Sequence, residues 1–212
     1  MRTLLIWGAG DQGVVTLDCA LDQKKYDKID FLEIKEKKSR RIPGYMIQKE
    51  EADTLRKKLL SYDDVIVATG NNTLREEKTA LLTALGLSPT TIIHPASVVS
   101  PFASISNGCT ILANAVISPY ARIGVGCIVN TGAIVEHDCV IGDYVNISPR
   151  AAMAGHTRIG RKSFLGIGCS VIDNIQVGEN VIIGGGAVVI RDIPDGTMAA
   201  GVPAEIKKTK NS

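Results

Sequence analysis

Two histidines, a carboxylate and a glycine stand at spacings that suit acyl transfer. His137 is followed by Asp138, and Gly155 and His156 come eighteen residues after them. A histidine can act as a general base, a neighbouring carboxylate can hold its tautomer, and a glycine N–H can stabilise an oxyanion. The set works only if eighteen residues return the chain to the same place. The alternative is that both histidines are simply exposed on turns.

A hexapeptide repeat supplies that eighteen-residue period. Seventeen aliphatic residues occupy every sixth position from Ile93 to Val189. One buried aliphatic in each short strand, with three strands to a coil and coils stacked at roughly 4.8 Å, explains this spacing. Gly155 is then expected one coil away from His137. A second register, four residues after the aliphatics, holds small residues that fit inside corners: Ala103, Cys109, Ala115, Ala121, Cys127, Ala133, Cys139, Ala151, Ser163, Cys169 and Ala187.

A glycine-rich turn follows the first apolar segment, residues 3–7. Gly8, Gly10 and Gly13 frame Asp11 and Gln12, and a helical segment is predicted over 14–21. Glycines at this spacing let the backbone lie close to a phosphate at the positive end of a helix. The turn therefore predicts a nucleotide-phosphate site. The alternative is a docking domain in which the glycines only make turns.

The N-terminal ninety residues have the pattern of an α/β domain. A second strand over 29–33 ends in Glu33, suited to bind a hydroxyl or a base edge, and a third is predicted over 65–68. Thr73 and Glu76 are interpreted as a capping box that opens a helix closed by Gly86. Three or four strands make half of a dinucleotide-binding sheet, with room for one nucleotide, which argues against a nicotinamide dehydrogenase. We predict a half-Rossmann domain over residues 1–90 and a β-helix with a C-terminal tail over 91–212.

Composition excludes several partners. A formal net charge of +2 over 212 residues lacks the positive field that nucleic-acid binding uses. The one basic run, Lys35 to Arg41, is predicted to be a solvated loop. The apolar N-terminal segment is too short for a membrane span or a typical signal peptide, so we expect a cytoplasmic protein without membrane insertion. Four of the five cysteines lie in the small-residue register and are predicted to be reduced core residues.

Four segments resemble the bacterial nucleotide-sugar acetyltransferases: GAGDQG at 8–13, EHDCVIG at 136–142, AGH at 154–156 and GVPA at 201–204. That family includes the bacillosamine-pathway N-acetyltransferase and the sialic acid O-acetyltransferase-like proteins. The resemblance covers essentially the whole chain, in order. It implies an acetyl-CoA-dependent homotrimer with a left-handed β-helix and active sites between adjacent subunits.

The resemblance also assigns roles to residues. It implies that His137 is the general base and that Asp138 raises its basicity. The residues that it places on acetyl-CoA are Asn146, Gly155, Ile167 and Gly185. The residues that it places on the nucleotide sugar are those of the glycine turn (Gly8, Gly10, Asp11, Gln12 and Gly13) and Glu33.

Three positions depart from the family pattern. Many relatives carry glutamate where Asp138 stands, one methylene longer. Bacillosamine-type relatives place a second histidine at the corner matching Asn146, and an amide can donate a hydrogen bond but does not titrate. Glu33 and Ile34 stand where relatives often carry paired aspartates on the base, so the base is not assigned as uracil from these residues.

The predicted function is N-acetylation of a nucleotide-linked amino sugar, of the UDP-4-amino-sugar type, for surface glycan biosynthesis. The acetyl group passes directly from acetyl-CoA to the amine. The alternative is a sugar O-acetyltransferase of the sialic acid type. A β-helix of this kind also resembles the γ-class carbonic anhydrases, but His94 lies 43 residues before His137 and out of phase with it, so no metal is expected and His94 is predicted to be structural. A non-catalytic scaffold is the remaining alternative.

Overall fold

The N-terminal part of the chain is a parallel sheet between two helical layers, in a computed structural model that describes residues 1–34 and 42–209. The predicted loop from Lys35 to Arg41 lies outside the described residues. Within that part of the chain the sheet has four strands in the order β3-β2-β1-β4. The elements are β1 (Thr3–Trp7), α1 (Asp11–Asp22), β2 (Lys28–Ile34), β3 (Ile47–Glu50), α2 (Ala52–Leu60), β4 (Asp64–Val67) and α3 (Asn72–Ala84).

Alternate side chains of β1 point to opposite faces of the sheet, and helices cover each face. Leu4 and Ile6 pack with Leu17 of α1 on one face of the sheet. Leu5 and Trp7 point to the other face, where α2 and α3 contribute buried leucines. The three predicted strands are present. β3 and α2 were not predicted, because half of the residues in the sequence IQKEEADTLRKKLL are charged and it shows little apolar periodicity.

The predicted capping box at the start of α3 is wrong. Asn71 is the N-cap, and its side chain accepts a hydrogen bond of 3.0 Å from the Leu74 N–H. This puts Thr73 and Glu76 two residues further into the helix than a capping box requires. Glu76 instead forms ion pairs with Arg161 and Lys162 of the β-helix, which lower the pKa of its carboxyl group, the hydrogen bond from Lys162 having the largest effect.

The rest of the chain is a parallel β-helix of two-residue strands. Strands that are eighteen residues apart pair in register, as Ile134 does with Ala152. The second residue of each strand points into the core. Seventeen strands, all within residues 92–189 of the described chain, are β5 to β21: Ile92–Ile93, Val98–Val99, Ser104–Ile105, Thr110–Ile111, Val116–Ile117, Arg122–Ile123, Ile128–Val129, Ile134–Val135, Val140–Ile141, Asn146–Ile147, Ala152–Met153, Arg158–Ile159, Phe164–Leu165, Ser170–Val171, Gln176–Val177, Ile182–Ile183 and Val188–Val189.

The predicted fold, an α/β domain followed by a β-helix of hexapeptide repeats, is confirmed. After the last full coil, β22 (Thr197–Ala200) extends one sheet and pairs antiparallel with β23 (Glu205–Thr209). The change from α/β to coil falls between α3, which ends at Ala84, and β5. None of the helices in the described ranges has the length and apolar character needed to cross a membrane. The cytoplasmic location stays a prediction.

Each coil has three corners, which we name by their contents. The histidine corner joins the β12 sheet to the β13 sheet and comprises residues 100–103, 118–121, 136–139, 154–157 and 172–175. The domain corner joins the β13 sheet to the β14 sheet and comprises residues 106–109, 124–127, 142–145, 160–163 and 178–181. The distal corner joins the β14 sheet to the β15 sheet and comprises residues 94–97, 112–115, 130–133, 148–151, 166–169 and 184–187.

A buried arginine fastens the two parts of the chain at the domain corner. Arg75 is 1% exposed, and its guanidinium donates to the carbonyl oxygens of Gly126 at 2.6 Å, Tyr144 at 2.9 Å and Thr69 at 2.8 Å. Burial lowers the pKa of Arg75 to about 10, which leaves it protonated at neutral pH. The α/β domain therefore sits at a defined position on the prism.

The four cysteines predicted to be reduced core residues are buried free thiols, and Cys19, for which no prediction was made, is buried as well. The Cys109 thiol donates to the Gly124 carbonyl and the Cys127 thiol to the Gly142 carbonyl, each at 3.1 Å. Burial raises the pKa of Cys169 to about 11, so it is a protonated thiol that fills the core.

Candidate active site

The histidine corner holds a histidine–carboxylate pair at the surface. The Nδ1 atom of His137 lies 3.0 Å from Oδ2 of Asp138, and the two side chains are 52% and 42% exposed. Asp138 occupies the left-handed region with φ of +59°, a conformation that aspartate tolerates better than most residues. Because the carboxylate accepts, the neutral imidazole carries its proton on Nδ1, and Nε2 is left as the basic atom.

The coil ladder holds this pair in place. The Asp138 N–H donates to the Pro119 carbonyl of one neighbouring coil at 3.1 Å. The His156 N–H of the other neighbouring coil donates to the His137 carbonyl at 3.0 Å. The rings of His137 and His156 meet edge to face, with centroids 5.2 Å apart. The backbone on both sides of the pair is therefore fixed.

Gly155 lies directly beneath the imidazole. A methyl group in place of its hydrogen would stand 2.6 Å from Cε1 and 2.7 Å from Nε2 of His137. Only glycine lets the ring rest on the backbone at this point. Among the described residues no acceptor bonds to the Gly155 N–H, and Gly155 itself is buried beneath the ring. The eighteen-residue period thus brings together His137, Asp138, Gly155 and His156, as the sequence predicts.

The same corner has a spacing that a metal ion tolerates. Donor atoms of His137, Asp138 and His156 all lie within 4.8 Å of one another. A metal there would compete with the bond between Nδ1 and Asp138. His94 is not near this group, because it pairs with Asp22 at 2.7 Å and accepts from the Ala96 N–H at 3.0 Å. Its predicted structural role fits these contacts, whereas the absence of a metal stays a prediction that elemental analysis of the purified protein tests.

A cavity of about 430 Å³ opens at the glycine turn of the α/β domain. Glu33 is 7% exposed at its edge, and its carboxylate accepts from the Ala9 N–H at 2.8 Å and the Ile34 N–H at 2.9 Å. Glu33 therefore holds the turn in shape. Of the predicted substrate residues, those that line the cavity are Gly8, Gly10, Asp11, Gln12 and Glu33.

Gly13 lies behind the cavity wall, where it allows α1 to approach β1. A methyl group at Gly13 would stand 2.0 Å from the Gly8 carbonyl oxygen. We expect Gly13→Ala to lower the free energy of unfolding by roughly 1–3 kcal/mol, because the backbone must shift to make room. Gly10→Ala is the matched control, since nothing lies within 4 Å of a methyl group there and its φ is −85°. Urea denaturation of both variants measures the difference, and equal stability would contradict the close approach.

Sequence reasoning missed the charged floor of this cavity. Lys78 is 5% exposed, and its ammonium group lies 2.7 Å from the Glu50 carboxylate and 4.5 Å from the centre of the Trp7 ring. The Trp7 indole also donates to Glu50 at 2.6 Å. Lys78 has no motif around it and looks like any lysine on a helix surface. The contact with Glu50, 28 residues away, is a tertiary one.

The residues predicted to bind acetyl-CoA are divided between places. Gly155 is at the histidine corner. Ile167 and Gly185 stack at the distal corner, where the Cγ2 atom of Ile167 would lie 3.2 Å from a methyl group at Gly185. Asn146 lies in β14 and is 7% exposed, so its predicted position at a corner is wrong. Within one protomer the structure does not bring Asn146, Ile167 and Gly185 to His137.

Comparison with known proteins identifies the family. The PglD N-terminal domain family matches residues 3–81, and the bacterial transferase hexapeptide family (six repeats) matches residues 156–191. The acetyltransferase domain of PglB from Neisseria gonorrhoeae FA1090, solved with acetyl coenzyme A, is 36% identical over 97% of this chain and 98% of its own, with a TM-score of 0.88. This chain belongs to the bacterial hexapeptide-repeat sugar acetyltransferases.

Other members of this sugar acetyltransferase family are similar throughout. Perosamine N-acetyltransferase from Caulobacter crescentus, solved with CoA and GDP-perosamine, is 31% identical over 98% of each chain, with a TM-score of 0.91. The predicted family and enzyme class, an acyltransferase that uses acetyl-CoA, are confirmed.

Curated relatives match a shorter part. A UDP-N-acetylglucosamine O-acyltransferase from Burkholderia lata is 38% identical over 69 residues. A serine acetyltransferase from Synechococcus elongatus is 35% identical over 75 residues. These matches span 26% and 31% of the relatives' own lengths, so this chain covers about a quarter to a third of the curated relatives it matches.

Proposed function

We propose that this protein transfers the acetyl group of acetyl-CoA to the amine of a nucleotide-linked amino sugar. The observation that carries the proposal is the seating of the His137 imidazole on Gly155, with Nδ1 held by Asp138. This arrangement presents a base at Nε2 beside a backbone N–H that lacks an acceptor among the described residues. The bound molecules of the PglB domain and of perosamine N-acetyltransferase support the two substrates.

The geometry suits direct transfer. Nε2 of His137 takes a proton from the amine as its nitrogen attacks the thioester carbonyl, and the Gly155 N–H stabilises the oxyanion. The tetrahedral intermediate then collapses, the C–S bond breaks, and the thiolate leaves as CoA after receiving the proton. Asp138 stabilises the imidazolium that forms in between. Neither a metal nor an acyl-enzyme is required for this sequence.

The cavity of the α/β domain suits the nucleotide diphosphate. α1 begins beside Gly10, an N-cap without a side-chain cap, so its first N–H groups can point at phosphate. Lys78 adds a cation at the floor, paired with the Glu50 carboxylate. Substrate phosphates would share this lysine with Glu50. We also propose that Glu33 lies beside the nucleobase of the substrate.

The distribution of the site residues over three corners supports a homotrimer. The α/β domain is fastened to the domain corner, Ile167 and Gly185 lie at the distal corner, and His137 lies at the histidine corner. Corners of one coil are about six residues apart, roughly 15 Å. One protomer therefore presents the three groups on three different corners. Packing three prisms side by side, with His137 of one protomer facing another protomer's cavity or distal corner, completes the site.

A complementation experiment tests the shared site. His137→Ala removes the base, and Gly10→Leu fills the nucleotide cavity without disturbing the backbone. Neither variant alone is expected to turn over. If the base and the cavity of one site come from different protomers, mixed trimers of the two variants should regain activity in about one quarter of their sites. Co-purified mixtures that stay inactive would place both groups in one protomer.

Thiol release tests the function itself. The purified protein is incubated with acetyl-CoA and a panel of UDP-, GDP- and TDP-linked amino sugars, with the matching hydroxyl sugars and the free amino sugars as controls. Release of CoA thiol with an amino sugar supports the proposal. Release only with hydroxyl sugars identifies the O-acetyltransferase alternative, and none with any acceptor would favour a scaffold.

A further inference from the structure

Two stacked aromatic residues stand on the histidine corner next to the catalytic pair. The rings of Phe102 and Tyr120 have centroids 5.7 Å apart and an interplanar angle of 28°. Tyr120 precedes Asp138 by eighteen residues, so the two occupy the same turn position in neighbouring coils, roughly 5 Å apart. The pair thus forms an exposed aromatic surface beside the His137–Asp138 dyad.

Folding of the protomer leaves most of this aromatic surface in contact with solvent. Phe102 is 65% exposed and Tyr120 60% exposed, although aromatic residues gain most when buried. Tyr120 also adopts a φ of +62°, a conformation in which a bulky side chain is disfavoured relative to glycine or asparagine. Tyr144, which has a similar φ at the domain corner, packs its ring against Gly126, so a contact accounts for its presence. Tyr120, by contrast, stays 60% exposed while its ring stacks on Phe102.

The direction from which each substrate approaches His137 indicates which substrate meets the aromatic pair. Gly155 lies in the coil on the C-terminal side of His137, and Ile167 and Gly185, although at the distal corner, belong to that coil and the next one toward the C-terminus. In the proposed reaction the thioester approaches from this side. The amine must then approach His137 from the opposite side, where Tyr120 and Phe102 lie.

We propose that Phe102 and Tyr120 form the platform on which the ring of the acceptor amino sugar stacks. A pyranose ring presents an apolar face of C–H bonds, which packs on aromatic faces while its hydroxyl groups remain hydrogen-bonded at the edge. Such a platform orients the ring without recognising the nucleotide, and it sets the position of the amine relative to Nε2. This inference rests on the proposed function.

Tyr120→Asn tests the platform without straining the backbone. Asn174, at the histidine corner itself, and Asn180, at the domain corner, adopt φ of +61° and +54°, so asparagine suits this turn position. We expect KM for the nucleotide-linked amino sugar to rise about tenfold, the loss of one well-stacked contact. KM for acetyl-CoA and the Kd of the free nucleoside diphosphate should not change. Tyr120→Phe keeps the ring and should recover most of the affinity for the amino sugar that Tyr120→Asn loses. Met46→Asn removes an equally exposed apolar side chain, 60% exposed on the α/β domain, and serves as the control.

Three outcomes overturn the platform: an unchanged sugar KM in the Phe102→Ser/Tyr120→Asn double variant, an equal loss of nucleoside diphosphate binding, or dissociation of the oligomer measured by light scattering. The last result would make the aromatic pair a subunit contact. Wild-type turnover tests the proposed function separately. If the wild type releases no thiol with any nucleotide-linked amino sugar, the proposed function itself is wrong. If the wild type turns over but the variants have the same KM for the amino sugar, only the platform is wrong.

Discussion

Replacing His137 with alanine is expected to lower kcat by about 10²- to 10⁴-fold, the usual contribution of a positioned general base. The side chain is half exposed and makes no core contact, so the fold should persist. Acetyl-CoA binding should change little, because the imidazole acts on the attacking amine. Steady-state kinetics with thiol detection measures kcat, and calorimetry measures the Kd for acetyl-CoA.

The neighbouring histidine provides the control for this prediction. His156→Ala removes an exposed imidazole from the same corner while leaving the bond between His137 and Asp138 intact. Its turnover should stay within a few-fold of wild type. If His137→Ala retains full activity, or if His156→Ala is the more damaging change, His137 is not the base.

Gly155→Ala is expected to lower kcat by about 10²-fold or more, although it adds only one methyl group. That methyl group would lie 2.6 Å from Cε1 of His137, and the exposed ring can move aside, so catalysis rather than folding is lost. The φ of Gly155 lies outside the left-handed region, so alanine does not strain the backbone. The displaced ring would no longer lie beside the Gly155 N–H, the proposed donor for the oxyanion.

A double-mutant cycle separates the two effects of Gly155. If the methyl group acts by displacing the base, adding Gly155→Ala to His137→Ala should cost little more than His137→Ala alone. A full additional loss would assign the effect to the oxyanion donor instead. Unfolding by heat should give nearly the same Tm for wild type and Gly155→Ala, and a large drop in Tm would mean that this corner does not have the predicted space.

Much of the histidine corner could be predicted because a coil makes every contact at one fixed separation. Ile134 pairs with Ala152 and Asn146 with Phe164, each eighteen residues on, so the phase of His137 was enough to place Gly155 beside it. The buried thiols follow from the same period. The glycine turn after β1 was also predicted, because a strand, a tight turn and a helix are adjacent in sequence.

Contacts without a fixed separation were decided by the tertiary structure. Lys78 reaches Glu50 and Trp7 only because α3 packs on the face of the sheet to which Trp7 points. Arg75 finds its carbonyl partners across the junction of two domains. Local rules also failed where two candidates competed, as when Asn71 rather than Thr73 capped α3.

The sequence by itself determined the eighteen-residue coil, the buried register and the group formed by His137, Asp138 and Gly155, since each depends on a repeat between neighbouring coils. Only the tertiary structure decided on which corner the α/β domain sits. Its position depends on how one buried arginine and a few side chains pack between surfaces distant in sequence. That placement puts the cavity of the α/β domain and His137 at different corners of one protomer, because corners of a rigid prism cannot approach one another.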